Sequence, residues 1–298
     1  MRKILAFNIL FSYSFCFGQI QSVVFDSITK EKIPYVNIWS ENENIGTTSN
    51  KNGEFLIDSL NSGFLILSRL GYKELRINLI ELPTSIFLSP KAVGLKELPI
   101  LEKKETEQRI IGNFENTNIE TFYASTGTPE IKARLFDYDS RFVNTPYLKK
   151  IILPIYSHLP NSEFNIRLYS VGQNGEPCDP IYEKNVIGVA KKGINNMEID
   201  LTDLSLTFPK SGLFVGFEWL IVDENQYKLS YPTNSSKTKA KSIIIYEPKV
   251  GILSTSENSH AWNYKKGKWR KEEKIYDNKG VPYYDDYGVL AIELTLTN

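Results

Sequence analysis

Residues 34–55 read Pro34-Tyr35-Val36-Asn37-Ile38-Trp39 and, after a polar loop, Gly46-Thr47-Thr48-Ser49-Asn50-Lys51-Asn52-Gly53-Glu54-Phe55. Proline has a fixed φ and no N–H group, so Pro34 suits the entrance of a strand, and the alternation behind it has the strand period of two. Asn52-Gly53 is a strong turn signal because both residues tolerate a positive φ. The stretch therefore predicts two strands, a half-buried one behind Pro34 and a second one that begins at Glu54.

The neighbouring segments extend this pattern into a small sandwich, with further strands predicted over 21–26, 64–68, 75–79 and 85–88. The order Pro-Tyr-Val-Asn-Ile, Gly-Thr-x-(Thr/Ser)-Asn and Asn-Gly-Glu-Phe resembles the carboxypeptidase regulatory-like domain, which is common in exported proteins of the Bacteroidetes. The resemblance implies a transthyretin-like, Greek-key β-sandwich over residues 19–90.

The composition indicates an all-β protein of about two domains. The chain has 298 residues, 41% of them hydrophobic, with 17 tyrosines and 16 phenylalanines. Long stretches with the 3.6-residue period of a helix are hard to find. Lys+Arg and Asp+Glu number 35 each, so the charge gives no reason to expect a nucleic-acid partner.

The first eighteen residues are typical of a signal peptide. Arg2-Lys3 precede an apolar run over 4–17, which suits a signal sequence better than a membrane span, and cleavage is predicted ahead of Gln19. Removal of Arg2 and Lys3 leaves 33 basic against 35 acidic side chains, a net charge of −2. We expect an exported protein, periplasmic, outer-membrane associated or secreted, with no transmembrane span after cleavage. Cys178 would then be the single cysteine, so no intrachain disulfide is expected.

A second, larger β-sandwich is predicted over residues 113–298, behind a charged linker at 91–112. Turn signals separate proposed strands at 131–136, 149–156, 164–171, 197–201, 213–222, 242–247 and 288–296. The strand at 164–171, the loop Asn174-Gly175-Glu176-Pro177 and the run 214–219 resemble jelly-roll modules of secreted bacterial proteins.

The sequence contains no complete catalytic motif. A zinc peptidase needs two histidines and a glutamate as ligands, whereas His158 and His260 stand alone and outside the zinc-binding patterns. We therefore expect a non-catalytic exported accessory or binding protein of the cell envelope, whose partner is an envelope protein or a glycan. The alternatives are an enzyme with a glycosidase-like carboxylate pair in the second domain, or a purely structural assembly module. The oligomeric state stays open.

Aromatic residues crowd the last forty positions. A predicted hairpin with the basic tip Lys265-Lys266-Gly267-Lys268 carries several of them. Exposed rings can stack against sugars, whereas buried rings are ordinary β-sheet packing, and the sequence supports both interpretations. The candidate binding residues are Trp262, Tyr264, Trp269, Tyr283 and Tyr284.

Three acidic clusters could hold a structural calcium ion, because this cation collects six to eight oxygen ligands. None of them has the spacing of a calcium-binding loop, so solvated loop acids are the alternative and no cofactor is otherwise predicted. The clusters are Asp137-Tyr138-Asp139, Asp223-Glu224 and Asp285-Asp286.

Overall fold

The computed structural model describes residues 19–58, 63–91, 104–231, 241–274 and 287–298. The predicted signal peptide, Tyr283, Tyr284 and Asp285-Asp286 lie outside these residues. The strands are β1 (Gln19–Asp26), β2 (Asn37–Ser40), β3 (Gly46–Thr48), β4 (Glu54–Asp58), β5 (Phe64–Ser68), β6 (Leu75–Asn78), β7 (Ser85–Leu88), β8 (Gln108–Ile111), β9 (Thr121–Ser125), β10 (Glu130–Phe136), β11 (Tyr147–Ser157), β12 (Ser162–Val171), β13 (Pro177–Pro180), β14 (Val186–Ala190), β15 (Gly193–Asp200), β16 (Leu213–Trp219), β17 (Gln226–Tyr231), β18 (Lys241–Thr255), β19 (Ala261–Lys265), β20 (Lys268–Lys271), β21 (Tyr287–Leu290) and β22 (Glu293–Thr297).

Helical structure in these ranges is confined to short 3-10 turns. None of them is long or apolar enough to cross a membrane. The predicted all-β fold class is confirmed, with a smaller sandwich followed by a larger one. The 3-10 turns are Leu79–Glu81, Asn116–Asn118, Ser140–Asn144, Thr202–Leu204 and Asp223–Asn225.

The first sandwich consists of strands β1 to β7, in a three-stranded sheet of order β4-β1-β7 and a four-stranded sheet of order β3-β2-β5-β6. β1 pairs antiparallel with β4 and parallel with β7. The inward-facing apolar residues of both sheets form one core, as alternation along the strands requires. Its fully buried members include Val24, Val36, Ile38, Leu65 and Leu67.

The turn at Asn52-Gly53 forms as predicted. Gly53 has a φ of 72°, and the Asn50 side chain accepts hydrogen bonds from the backbone N–H groups of Asn52 and Glu54 at 2.8 and 3.1 Å. The prediction that the strand behind Pro34 is half-buried is wrong, since all four residues of β2 are buried. The first sandwich covers one face of β2, and the second sandwich covers the other.

The second sandwich packs a seven-stranded sheet against an eight-stranded sheet. The first has the order β13-β12-β16-β10-β19-β20, with β14 also on β12. The second has the order β17-β18-β11-β22-β8, with β15 on β11 and β9 and β21 on β18. The core between them is large and apolar, and the side chains with no exposed surface include Leu153, Phe164, Phe217 and Trp219.

Most strands predicted for this part of the chain exist, with different bounds. The predicted strand at 288–296 is two strands, β21 and β22, which lie against β18 and β11 respectively. The predicted hairpin is β19–β20, in which Lys265 pairs with Lys268. Strand β8 falls within the stretch predicted as linker and pairs with β22. The division into domains stays a prediction.

Strand β16 shows how the two sandwiches meet. Its residues Leu213, Val215, Phe217 and Trp219 face the core of the second sandwich, so Phe214, Gly216 and Glu218 lie on the outer face of the sheet. The first sandwich covers this outer face: Asn37 donates a 2.6 Å hydrogen bond to Glu218. The backbone N–H of Thr48 donates to Ile221 at 2.9 Å, and the N–H of Ile221 donates to the Thr48 hydroxyl at 3.0 Å.

Gly46 lies at a close contact between the two sandwiches. A Cβ atom at this position would lie 2.6 Å from the Pro129 side chain and 2.8 Å from the Ile38 carbonyl oxygen. No residue other than glycine fits there without a shift of the backbone. The glycine of the Gly-Thr motif thus allows contact between the sandwiches.

Candidate functional site

The predicted aromatic residues lie on the hairpin β19–β20 and face the first sandwich. Trp262 is 8% exposed and contacts Phe214 edge-on. Tyr264 and Trp269 are half-buried, and the Trp269 ring lies 5.4 Å from that of Tyr169. Their assignment as a stacking platform, like that of Tyr283 and Tyr284 outside the described residues, stays a prediction.

This aromatic cluster also contacts the first sandwich directly, because Leu70 packs against it. The packing therefore gives the rings on β19 and β20 a structural role in joining the two sandwiches. A ligand platform on this face would have only the partly exposed surfaces of Tyr264 and Trp269.

A larger opening lies at the edge of the second sandwich. Strand β8, the end of β10 with the turn that follows it, and strands β18 and β21 enclose a cavity of about 710 Å³. We call this cavity the edge cleft. Its polar lining residues include Arg109, Arg134, Asp137, Asp139, Arg141 and His260.

Arg134 forms the inner wall of the edge cleft. Strand alternation turns it to the same side of β10 as the core residue Phe136, at the end where the two sheets part. Its Nη1 donates to the carbonyl oxygens of Ile292 at 3.0 Å and Leu290 at 3.2 Å. Burial lowers the pKa of this guanidinium to about 10. Within the described part of the chain, the Arg134 guanidinium is hydrogen-bonded to backbone carbonyl oxygens rather than to a carboxylate.

Arg109 and Arg141 line the same cavity with different partners. Arg141 Nη2 lies 2.6 Å from Asp139 Oδ2, and this hydrogen bond lowers the pKa of Asp139 to about 2. The Nε of Arg109 is buried and has no hydrogen-bond partner among the described residues. The cleft thus contains one matched arginine–carboxylate pair and one arginine whose Nε can still donate.

His260 links the cleft wall to an aspartate. Its Nε2 lies 2.9 Å from Asp137 Oδ2, and its Nδ1 lies 3.2 Å from the Ser259 hydroxyl. A serine–histidine–aspartate chain can activate a nucleophile when the aspartate is buried. Here the side chains of His260 and Asp137 are 40% and 74% exposed, so water screens the pair.

Two carboxylates, Glu130 and Glu272, lie near Tyr123, and Glu272 lines a small cavity that shares Leu253 and Ser254 with the edge cleft. Lys132 Nζ is 2.8 Å from Glu272 Oε2, and Asn263 donates to the same carboxylate. Burial raises the pKa of Glu130, which accepts a 3.4 Å hydrogen bond from Tyr123. A small cavity of about 80 Å³ lies beside Lys132 and Glu272. Glu130 and Glu272 are thus the two carboxylates in this group of side chains.

The other sequence candidates lie apart from the cleft. Cys178 is exposed and free, and His158 contacts Glu247 and Tyr156. Asp223 and Glu224 belong to a 3-10 turn. Within the described ranges, no group of three or more His, Cys, Asp and Glu side chains is placed to hold a metal ion. The calcium prediction stays untested.

Sequence reasoning treated His260 and the acids Asp137 and Asp139 as separate features and missed both Arg109 and Arg134. The contact between His260 and Asp137 spans 123 positions of sequence, which no local pattern reveals. Arg134 did carry a signal: charged residues at 130, 132 and 134 alternate with the apolar residues of one strand. Such alternation predicts a strand with one polar face, but it does not show which cavity that face lines.

Comparisons with known proteins identify the first sandwich. The family model described as CarboxypepD_reg-like domain matches residues 20–98, and no curated protein matches the chain.

Two solved structures are distantly similar. One is a clostridial cysteine protease, Cwp84, after propeptide cleavage, with 10% identity over 89% of this chain and a TM-score of 0.39. The other is infectious bursal disease virus, Gx strain, with 10% identity over 93% of this chain and a TM-score of 0.21. The chain spans 65% and 64% of those two chains. Both TM-scores are below 0.5, so neither adds to the description of the fold. The sequence motifs and the family model agree that residues 20–98 of this chain form a carboxypeptidase regulatory-like domain.

Proposed function

We propose that this protein is an exported, non-catalytic binding protein of the cell envelope, and that an acidic glycan binds in its edge cleft. The carboxypeptidase regulatory-like domain supports the non-catalytic part, because such a domain is a binding or structural module. The ligand class follows from the charges in the cleft.

The observation that carries the proposal is the excess of positive charge around this cavity. Asp139 is matched by Arg141, and Asp137 contacts His260. The described contacts of Arg134 are to backbone carbonyls, and the Nε of Arg109 has no hydrogen-bond partner in the ranges that the structure describes. Guanidinium groups recognise carboxylates and sulfates through paired hydrogen bonds, so a ligand with an anionic group fits.

The size and the remaining wall of the cleft favour a saccharide. Its volume of about 710 Å³ lies within the range of roughly 300 to 1,000 Å³ of small-ligand sites. Tyr138 contributes an aromatic ring, and Ser254 and Thr255 contribute hydroxyl groups to the lining. Rings and hydroxyls beside a cation are the groups that a uronic acid residue can contact.

The test compares the wild-type protein with Arg109→Gln on an array of uronic-acid, sulfated and neutral glycans together with acidic peptides. We expect binding to acidic glycans, at least tenfold weaker in Arg109→Gln. Arg76→Gln is the matched control, because Arg76 is an exposed arginine of the first sandwich paired with Glu41. It should bind as the wild type does. Selective binding of peptides, or equal binding by Arg109→Gln, would contradict the proposal.

Export is tested separately. The basic start and apolar run of residues 1–18 support it. The protein recovered from the native host should begin at Gln19 and fractionate with the envelope or the medium. Full-length protein in the cytosolic fraction would count against it.

The carboxylates near the cleft support a second candidate, a glycosidase-like activity. Glycosidases need one carboxyl group with a raised pKa and one that stays ionised. Burial raises the pKa of Glu130, while Lys132 contacts Glu272. Release of reducing ends from an array-positive glycan, lost in both Glu130→Gln and Glu272→Gln, would establish the enzyme; no release under the same conditions would leave the binding protein.

A further inference from the structure

The interface between the two sandwiches contains two buried arginine nitrogens that have no hydrogen-bond partner in the described part of the chain. Arg167, on the outer face of β12, is 3% exposed, and its Nε lies 2.6 Å from Glu218 Oε2. Arg69 follows β5 in the first sandwich, and its Nε donates to the Pro34 carbonyl at 3.0 Å. The Nη1 atoms of both arginines are buried, and neither has a hydrogen-bond partner among the described residues.

Glu218 is already engaged by other groups. Its Oε1 accepts from Asn37 at 2.6 Å, and its Oε2 accepts from Asn165 at 2.9 Å as well as from Arg167. It is 1% exposed. Its hydrogen bonds come from both sandwiches, and none of those described comes from Arg69.

The charges at this interface do not balance. Among the described residues, Arg167 pairs with Glu218 and no ion pair is formed by Arg69, which leaves the positive charge of Arg69 without a carboxylate of its own. Burial and, after it, the positive charge of Arg167 lower the pKa of Arg69 to about 10, against the opposite effects of Glu218 and Tyr72. Leu70, the residue after Arg69, packs against the cluster that contains Tyr169, two positions after Arg167 on the same face of β12, so the two arginines lie near each other. An uncompensated buried charge is costly, and a monovalent anion removes that cost.

We propose that a small inorganic anion, chloride in a physiological medium, binds between the Nη1 atoms of Arg69 and Arg167 and joins the two sandwiches. Arg69 belongs to the first sandwich and Arg167 to the second. The anion accepts one hydrogen bond from each arginine and thereby joins the two sandwiches. Its single negative charge matches the excess. The neighbouring amides of Asn37 and Asn165 already donate to Glu218, so the guanidinium N–H groups are the donors to the anion.

A bound anion that the unfolded chain does not bind stabilises the folded state in proportion to the logarithm of its concentration. The first test therefore follows thermal unfolding of the full chain while sodium chloride replaces sodium gluconate at constant ionic strength. We expect the midpoint to rise by about 3 to 5 °C at a roughly tenfold excess over the dissociation constant. A midpoint independent of chloride would overturn the proposal.

Two variants separate this site from general salt effects. Arg69→Gln removes one ligand of the anion and the excess charge together, so its midpoint should not respond to chloride. Arg76→Gln removes an exposed arginine of the same sandwich and should respond as the wild type does. A chloride response that persists unchanged in Arg69→Gln would place the effect elsewhere and refute the assignment.

The location of the anion is tested with wild-type crystals grown or soaked in bromide. This experiment also tests the proposal if the Arg69→Gln variant does not fold. The anomalous map should show a peak within hydrogen-bond distance of both Nη1 atoms. A water molecule at that position without an anomalous peak would overturn the proposal.

Discussion

The interface between the sandwiches and the edge cleft contain the same kind of contact in opposite surroundings. Arg167 meets Glu218 at 2.6 Å, and Arg141 meets Asp139 at 2.6 Å. The side chains of the first pair are 3% and 1% exposed, whereas those of the second are 70% and 33% exposed. Distance alone does not distinguish the two pairs.

Burial changes what each pair contributes. Water screens the exposed pair, so its energy is small and its arginine can exchange partners. The buried pair cannot exchange with water, so removal of Glu218 leaves Arg167 buried without its carboxylate. The ion pair at the interface is thus held out of water between the two sandwiches, whereas the pair in the cleft stays exposed to solvent.

The largest effect is expected from Glu218→Ala. The substitution leaves Arg167 buried without its carboxylate and leaves the Asn37 amide without its acceptor, so the free energy of unfolding should fall by about 3 to 5 kcal/mol. Urea denaturation followed by tryptophan fluorescence measures it. Glu41→Ala, which breaks the exposed pair with Arg76, is the control and should keep the wild-type midpoint. Equal midpoints for both variants would show that burial does not distinguish them.

Trp262→Ala is expected to be the next largest change. Because the ring is 8% exposed and contacts Phe214, its removal should cost about 3 kcal/mol, as for a core aromatic residue. The same denaturation experiment measures this value. A loss below about 0.5 kcal/mol, typical of a surface position, would restore Trp262 as a candidate stacking residue.

A smaller, pH-dependent effect is expected from Glu130→Gln. Because burial raises the pKa of Glu130, the folded protein binds a proton that the unfolded chain has released, and stability falls as the pH rises from the unfolded pKa to the folded one. Thermal midpoints between pH 4 and 8 should show this fall in the wild type and less of it in Glu130→Gln.

Glu41→Gln tests a carboxyl group whose pKa is shifted in the opposite direction. Arg76 lowers the pKa of Glu41, so any contribution of that pair is present above the unfolded pKa and is lost as the pH falls through the folded pKa. A stability difference between the wild type and Glu130→Gln that does not change with pH would refute the assignment of a raised pKa.

The smallest effect is expected from Arg141→Gln. Its pair with Asp139 is largely exposed, so at pH 7 the unfolding midpoint should stay within the experimental error of the wild type. If the midpoint falls as far as in Glu218→Ala, exposure is not what separates the interface from the cleft.

Local sequence signals predicted the first sandwich because its strands and turn follow short-range rules. The turn is stabilised by Asn50 and Gly53, which act within a stretch of five residues, so no other part of the chain is needed to explain it. The hairpin β19–β20 was predicted for the same reason, since Lys266 and Gly267 both adopt a positive φ at its tip.

The interface and the cleft could not be predicted in this way because their contacts are long-range. Asn37 and Glu218 are 181 positions apart, and His260 and Asp137 are 123 apart. The alternation in β2 correctly indicated a strand, but it did not show that the second sandwich buries the other face of that strand. Periodicity shows that a strand has two faces, and only the tertiary structure shows what covers each face.

The contact of Leu70 with the cluster around Trp262 has a practical consequence for work on the second sandwich alone. Expressed without residues 19–91, that sandwich would present Tyr169, Phe214 and Trp262 to water on one continuous face. Exposed apolar patches of this kind promote self-association. The isolated fragment should therefore elute from a sizing column as dimers or aggregates, whereas the same fragment co-expressed with the first sandwich should elute as a one-to-one complex.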